Sequence, residues 1–130
     1  VADGYFEWRK SQEKKSPYYL HDSNKKIMAL AGLWTSIESK NGKVDSYVIV
    51  TTQASQHIEH IHDRMPLIID NDKIDIWLDI NDNNGEKLKY LKSNRTLSYY
   101  PVSSFVNHSK NNSKKCIQPF QEEETLNLFQ

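Results

Sequence analysis

Apolar residues gather in short runs separated by polar, turn-rich stretches, a pattern of strands more than of long helices. Tyr5, Phe6 and Trp8 flank Glu7 and predict a strand whose alternation sets Tyr5 and Glu7 on one face and Phe6 and Trp8 on the other. Residues 10–16 read as a loop, Tyr18-Tyr19-Leu20 as a second strand opened by Pro17, and 21–26 as a turn. The longest apolar run, 27–34, predicts a buried strand with a close backbone approach at Gly32, although a helix is equally compatible with its periodicity. Asn41-Gly42 is a hairpin signal leading into a β-branched strand over 46–52. A short helix is expected over 54–61, with Ile58 and Ile61 on one face and Pro66 preventing its continuation. A short strand follows at 67–69. A helix is expected over 72–79, capped by Asp70 or Asn71 and carrying the stripe Ile74, Trp77, Leu78. One more helical turn is expected at 86–91, and a strand at 97–102 lies near an edge because of Pro101. Residues 103–115 read as a loop with Phe105 and Val106 as apolar anchors. The sum is an α+β domain of several short strands and two or three short helices, spanning 1–120, with an acidic, Leu-containing tail at 121–130.

Composition narrows this picture. The chain has 130 residues, and 17 Lys plus Arg balance 17 Asp plus Glu, so the basic footprint of many nucleic-acid binders is absent. A chain of this length buries a core without staples. A lone cysteine, Cys116, makes no internal disulfide and points to a reducing compartment. No apolar run approaches the about 20 residues of a membrane helix. The three arginines, Arg9, Arg64 and Arg95, stand among many lysines, which hints at a need for a planar fork, and Arg64 suits that role better than Arg9.

The candidate chemistry lies in two stretches. Glu7 between aromatics is either a plain exposed residue opposite a buried pair or a carboxylate in a partly apolar site, suited to proton transfer. The second stretch is His60-Ile61-His62-Asp63-Arg64-Met65-Pro66, in which His62 sits where the predicted helix ends. His57, His60 and His62 have a spacing that invites a metal, but no cysteine or independent ligand pair accompanies them, and no metal or other cofactor is expected. Cys116 reads as a small buried hydrophobe rather than a nucleophile, and Trp34 and Trp77 as core.

Several segments together resemble the SOS-response-associated peptidase (SRAP) family, which processes abasic sites. They are Ala2 to Trp8, Pro17-Tyr18-Tyr19, Ala31-Gly32-Leu33-Trp34, Val48 to Thr52, Ile61 to Pro66, Trp77-Leu78-Asp79, Pro101 to Asn107 and Asn111-Asn112. The resemblance implies a β-rich fold of mostly antiparallel strands in a barrel-like sheet. It further implies an intracellular monomer, nuclear if eukaryotic, that binds abasic sites in single-stranded DNA and traps the sugar aldehyde as a thiazolidine through an N-terminal cysteine. By that resemblance Glu7 and His62 are catalytic, Trp8 stacks on a base, Arg64 meets a phosphate, Thr51 lines the site and Asn107 supports it. The same apparatus would serve a self-cleaving peptidase. A non-catalytic DNA-binding module is the third reading. The family's Met-Cys-Gly start and an upstream asparagine are missing, and Cys116 has no free α-amine to replace the nucleophile. A truncated N-terminus, lacking roughly a hundred residues that would also complete the core, is therefore expected.

Overall fold

The computed structural model describes residues 1–10, 15–79, 81, 91, 93 and 95–120. The strands are β1 (Gly4–Lys10), β2 (Lys15–Asp22), β3 (Ala29–Leu30), β4 (Gly32–Ser39), β5 (Gly42–Ile49), β6 (Thr51–Gln53), β7 (Arg64–Pro66), β8 (Ile68–Ile69) and β9 (Leu97–Pro101). The one α-helix among the described residues is α1 (Ile74–Leu78). All strand pairs are antiparallel, as expected. They form a three-stranded sheet in the order β1-β2-β9 and three two-stranded ribbons, β3-β8, β4-β5 and β6-β7, with no closed barrel among the described residues.

The three-stranded sheet has two unlike faces. Tyr5, Leu20, Tyr18 and Tyr99 turn towards a core built on Leu20, Met28, Ala54, Ile58, Ile61, Ile68 and Leu97. On the other face Phe6, Tyr19 and Tyr100 meet ring to ring, with centroids 5.4 and 5.7 Å apart, and Tyr19 stacks on His21 at 5.8 Å. The Tyr19 ring lies directly on Gly4, where a Cβ would come within 2.3 Å of it. Gly4, rather than Gly32, is the glycine that a close approach requires. At Gly32 a Cβ would stand in ordinary contact, 3.6 Å from the nearest atom.

Both long apolar runs break. The predicted strand at 27–34 divides at Ala31, and that at 46–52 divides at Val50. At the breaks three backbone hydrogen bonds close a ring: Ala31 N–H donates to Leu67 O (2.8 Å), Leu67 N–H to Val50 O (2.8 Å) and Val50 N–H to Ala31 O (2.9 Å). Each residue separates two strands, so three ribbons radiate from one point. Ala31 and Leu67 are buried there with Ile69 and Leu91, and Val50, Ile74 and Trp77 pack around them. Ribbon β4-β5, turned at Asn41-Gly42 as expected, points away from both cores. Trp34, expected in the core, is 76% exposed, because β4 has no partner besides β5 among the described residues.

Residues 54–61 form successive turns, not the expected helix. Ile58 and Ile61 N–H groups bond three residues back, and Glu59 and His62 four residues back; mixed spacing does not propagate an α-helix. Ile58 and Ile61 are nevertheless both buried. The segment at 72–79 starts as a 3-10 turn (Asn71–Lys73) and continues as α1, without a side-chain capping bond from Asp70. Leu78 of the predicted stripe is exposed. Cys116 is buried. The helical turn expected at 86–91 lies outside the described residues except for Leu91, as do the tail at 121–130 and the middle of the loop expected at 10–16, whose ends Lys10, Lys15 and Ser16 belong to β1 and β2 instead.

Asp22 ends β2 and is buried. Its Oδ1 accepts the Asn24 N–H (2.8 Å) and Lys26 N–H (3.4 Å), and Arg95 Nη1 donates to its Oδ2 at 3.3 Å. Arg95 also donates to Ile27 O and Asn71 Oδ1 and pairs with Asp70. Burial alone would raise the Asp22 carboxyl, but the two N–H donors and the Arg95 guanidinium outweigh it and hold the group below its ordinary range. A depressed carboxyl contributes stability that is present above the unfolded value, about 3.9, and is lost as pH falls through the folded value. Denaturation from pH 7 to pH 2 should therefore show wild-type stability falling below about pH 4, with Asp22→Asn giving a flatter profile; parallel profiles would remove Asp22 from the acid transition. Gly4→Ala should cost about 1–3 kcal/mol by displacing the Tyr19 ring, read as a lowered denaturation midpoint with an unchanged slope.

Candidate proton-transfer site

Glu7 lies on the core side of β1, opposite Tyr18 in register, and not on an exposed face. It is a partly buried carboxylate in the middle of the edge strand β1. The turns at 54–62 fold back over this same side. Their base is closed by Ala54 N–H donating to Asp63 O at 2.9 Å and by the Gln53–Arg64 pair of ribbon β6-β7. Ile58 and Ile61 anchor them in the core, while the His57 and His60 rings lie against Tyr99 at 5.4 and 5.2 Å. Two of the three histidines thus pack on an aromatic ring, and the described residues hold no cluster of three metal-ligating side chains.

The third histidine meets Glu7. His62 Nε2 stands 3.9 Å from Glu7 Oε1, with side chains 34% and 25% exposed respectively. This is ion-pair range but beyond a direct hydrogen bond; contacts of this kind tighten when a substrate closes the site. The Arg64 backbone N–H donates to His62 Nδ1 at 3.1 Å, which in the neutral ring leaves the proton on Nε2, facing Glu7. Asp63 Oδ1 and Arg64 O are each 3.2 Å from the same Nδ1. Nδ1 thus has acceptors as near as the backbone donor.

Arg64 is oriented by Thr51. Its Nη2 donates to Thr51 O (2.6 Å) and Oγ1 (2.9 Å), and its Nε to Oγ1 (3.3 Å). The Nε–Nη2 edge is thus committed within the protein. Trp8 projects from the opposite face of β1 to Glu7, and its indole N–H donates to Asn107 Oδ1 at 2.7 Å. Asn107 closes the 3-10 turn Ser104–Asn107, which Ser103 caps by accepting the Phe105 N–H. The predicted residues therefore fall into three contacts, Glu7–His62, Thr51–Arg64 and Trp8–Asn107. Backbone joins the first two through His62 and Arg64, and β1 joins the first and third.

Two residues adjoin the site without having been given a role in it from sequence. Asp63 is 88% exposed yet lies beside Nδ1 of His62; its adjacency in sequence was the available signal. Tyr5 shares the Glu7 face, and its hydroxyl is buried without a hydrogen-bond partner among the described residues. Burial first, and then the Glu7 charge, push the Tyr5 phenol well above its ordinary range, so it stays protonated beside the carboxylate.

A carboxylate facing an imidazole whose second nitrogen is met by a backbone amide, on a frame of short antiparallel strands, makes a candidate proton-transfer site. The SRAP family model, SOS response associated peptidase, matches residues 1–109, and the chain belongs to that family. It is 33% identical to the abasic site processing protein HMCES of Xenopus tropicalis over 90% of this chain and 41% of that protein. It is 29% identical to the abasic site processing protein YedK of Escherichia coli over 91% of this chain and 55% of that protein. A crystal structure of a Bacteroides thetaiotaomicron protein superposes with a TM-score of 0.78 at 26% identity, covering 92% of this chain and 54% of that one. The chain thus spans about half the length of the relatives it matches.

Replacing Asn107 by Ala should free the Trp8 indole at a cost of about 0.5–1.5 kcal/mol. The checks are a denaturation midpoint and the fluorescence anisotropy of Trp8 in a background with Trp34 and Trp77 replaced by Phe; unchanged anisotropy would mean that Asn107 does not hold the ring.

Proposed function

We propose that this chain forms the proton-transfer half of a protein that processes abasic sites in single-stranded DNA. The observation that carries the reading is the Glu7–His62 juxtaposition in a member of a family whose matched relatives are named as abasic site processing proteins. The reacting partner is the aldehyde of the opened abasic sugar, and the nucleophile is an N-terminal cysteine outside residues 1–130. Its α-amine adds to the aldehyde carbon, the carbinolamine loses water to give an imine, and the thiol adds to the imine carbon to close a thiazolidine. The balance is one aldehyde plus one aminothiol giving one ring and one water. The departing hydroxyl needs a proton, and the amine and thiol must each lose one. Glu7 and His62 serve these transfers. The Nδ1 surroundings offer His62 both a donor and acceptors, and Tyr5 lies close enough to feel the Glu7 charge.

DNA positioning falls to the other two contacts. With its Nε–Nη2 edge on Thr51, Arg64 meets a phosphate through its Nη1 side as a fixed positive charge. Trp8 offers a ring for base stacking, held by Asn107. Such a protein works where DNA is, inside the cell.

A form carrying the N-terminal cysteine should give a covalent, gel-stable adduct with an abasic single strand; no adduct from an intact cysteine would sink the reading. Glu7→Gln should slow adduct formation on the order of 10²-fold with little change in noncovalent DNA binding. Arg64→Ala should weaken binding and lower the dependence of log affinity on log salt by about 0.7, one single-strand phosphate contact; a wild-type salt slope would assign Arg64 another role.

A further inference from the structure

Past Glu7, strand β1 ends beside a cleft of about 220 Å³ that the three contacts above leave unused. Arg9 of β1, Lys15, Ser16 and Tyr18 of β2, Ser104 and Phe120 line it. Backbone bonds fix its walls. β1 and β2 stay paired to their ends, with Arg9 opposite Ser16. Val102 N–H donates to Pro17 O at 3.0 Å and Phe120 N–H to Pro101 O at 2.9 Å, which draws the chain after β9 across the end of the sheet. No acidic side chain among the described residues lines the cleft, so a chain of balanced charge is locally positive here. Cations on a surface are ordinarily only solvated, but Arg9 is held: its guanidinium carbon lies 5.4 Å from the Tyr18 ring centroid. That contact uses the ring and no N–H donor, and among the described residues no carboxylate or carbonyl takes an Arg9 N–H. Its planar fork is therefore placed with its donors free, unlike that of Arg64. Such a fork beside an ammonium and two hydroxyls matches the oxygens of a phosphate.

We propose that this cleft is a phosphate subsite, in which Arg9 and Lys15 take a phosphodiester of the same single strand whose sugar is presented to Glu7 and His62. The placement follows from β1 itself. Arg9 and Glu7 lie two residues apart on one face of the strand, about 7 Å along it. Tyr18 joins them, as the ladder partner of Glu7 and the ring under Arg9. The contacts then run in the order Arg64, His62, Glu7, Tyr18, Arg9, with a cation at either end of the proton-transfer pair. Phe120, 42% exposed, gives the adjoining sugar an apolar wall. The identity of the strand rests on the abasic-site reading; the affinity of the cleft for phosphate does not.

The test uses the form that carries the N-terminal cysteine and two probes without an aldehyde: an intact oligothymidylate, and a single strand with a tetrahydrofuran in place of the abasic sugar. Arg9→Gln combined with Lys15→Gln should lower the dependence of log affinity for the intact strand on log salt by about 0.7. Adding Arg64→Ala should bring the fall to about 1.4, since a second phosphate is lost. Arg9→Lys should keep the wild-type slope. The charge-matched pair Lys40→Gln and Lys43→Gln, at the tip of ribbon β4-β5, should leave it unchanged. Neutral methylphosphonates placed one at a time along the tetrahydrofuran strand should weaken wild type at two positions, about tenfold each. One position should become silent in the Arg9→Gln, Lys15→Gln variant and the other in Arg64→Ala. No binding of the intact strand, an unaltered slope in the double variant, an equal fall in the control pair, or two sensitive positions surviving in the double variant would each overturn the subsite. Equal slopes together with lost binding of thymidine monophosphate would assign the cleft to a free nucleotide and overturn it likewise. Every arm is read without an adduct, so these outcomes are separate from the adduct test of the abasic-site reading.

Discussion

The ring of hydrogen bonds among Ala31, Val50 and Leu67 is the constraint on which most of the structure depends. Three separate stretches of chain meet there, each giving one donor and one acceptor to the other two. The arrangement satisfies the polar backbone of residues whose side chains are apolar and largely buried, which would otherwise carry a desolvation penalty of about 1–3 kcal/mol per unpaired group. It also dictates that the strands on either side cannot stay in register with a single partner. β3 leaves with β8, β4 with β5 and β6 with β7. The small side chain of Ala31, fully buried, suits a point where three backbones converge.

That junction places the site. Thr51 follows Val50 directly, and its ladder partner Pro66 precedes Leu67, so ribbon β6-β7 starts at the ring and runs towards Arg64. The ten residues between Gln53 and Arg64 are the loop of that ribbon. His62 is not at the loop's tip but beside its closed base, where Ala54 and Asp63 are bonded. A side chain at a loop base inherits the rigidity of the ladder, whereas one at a tip does not. The burial of Ile58 and Ile61 then presses the loop onto the sheet side that carries Glu7. Glu7, near the start of the chain, and His62, at its middle, come together because an apolar pair lies between the loop and the core.

Much of the geometry of the candidate site was legible in sequence, and the reasons differ by residue. Alternation around Glu7 gave its face relative to Tyr5, Phe6 and Trp8 correctly, since a strand's period is insensitive to what surrounds it. It could not say which face met the core, and the core proved to be on the Glu7 side. Ile58 and Ile61 were rightly paired although the helix predicted to pair them is absent, because residues three apart share a side in turns as well. The breaks at Ala31 and Val50 were not legible. A run of apolar or β-branched residues looks the same whether its ladder continues or changes partner, and the change is decided by chain far away. Trp34 was misplaced for the same reason: exposure depends on what covers a face, not on the residue. The Arg95–Asp22 ion pair joins residues far apart in sequence with no local signature, and Arg95 was the arginine that composition passed over.

The uncovered ribbon and the site are mechanically linked through the same ring. Gly32 and Ile49, the root pair of β4-β5, are the immediate neighbours of Ala31 and Val50. The root of the ribbon therefore adjoins the Val50 amide and carbonyl, and Val50 is followed by Thr51, which holds the Arg64 guanidinium. The Arg64 amide in turn sets the proton on His62. The root of ribbon β4-β5 and the strand that carries Thr51 thus meet at the same three hydrogen bonds, which tie the position of the Glu7–His62 pair to that junction.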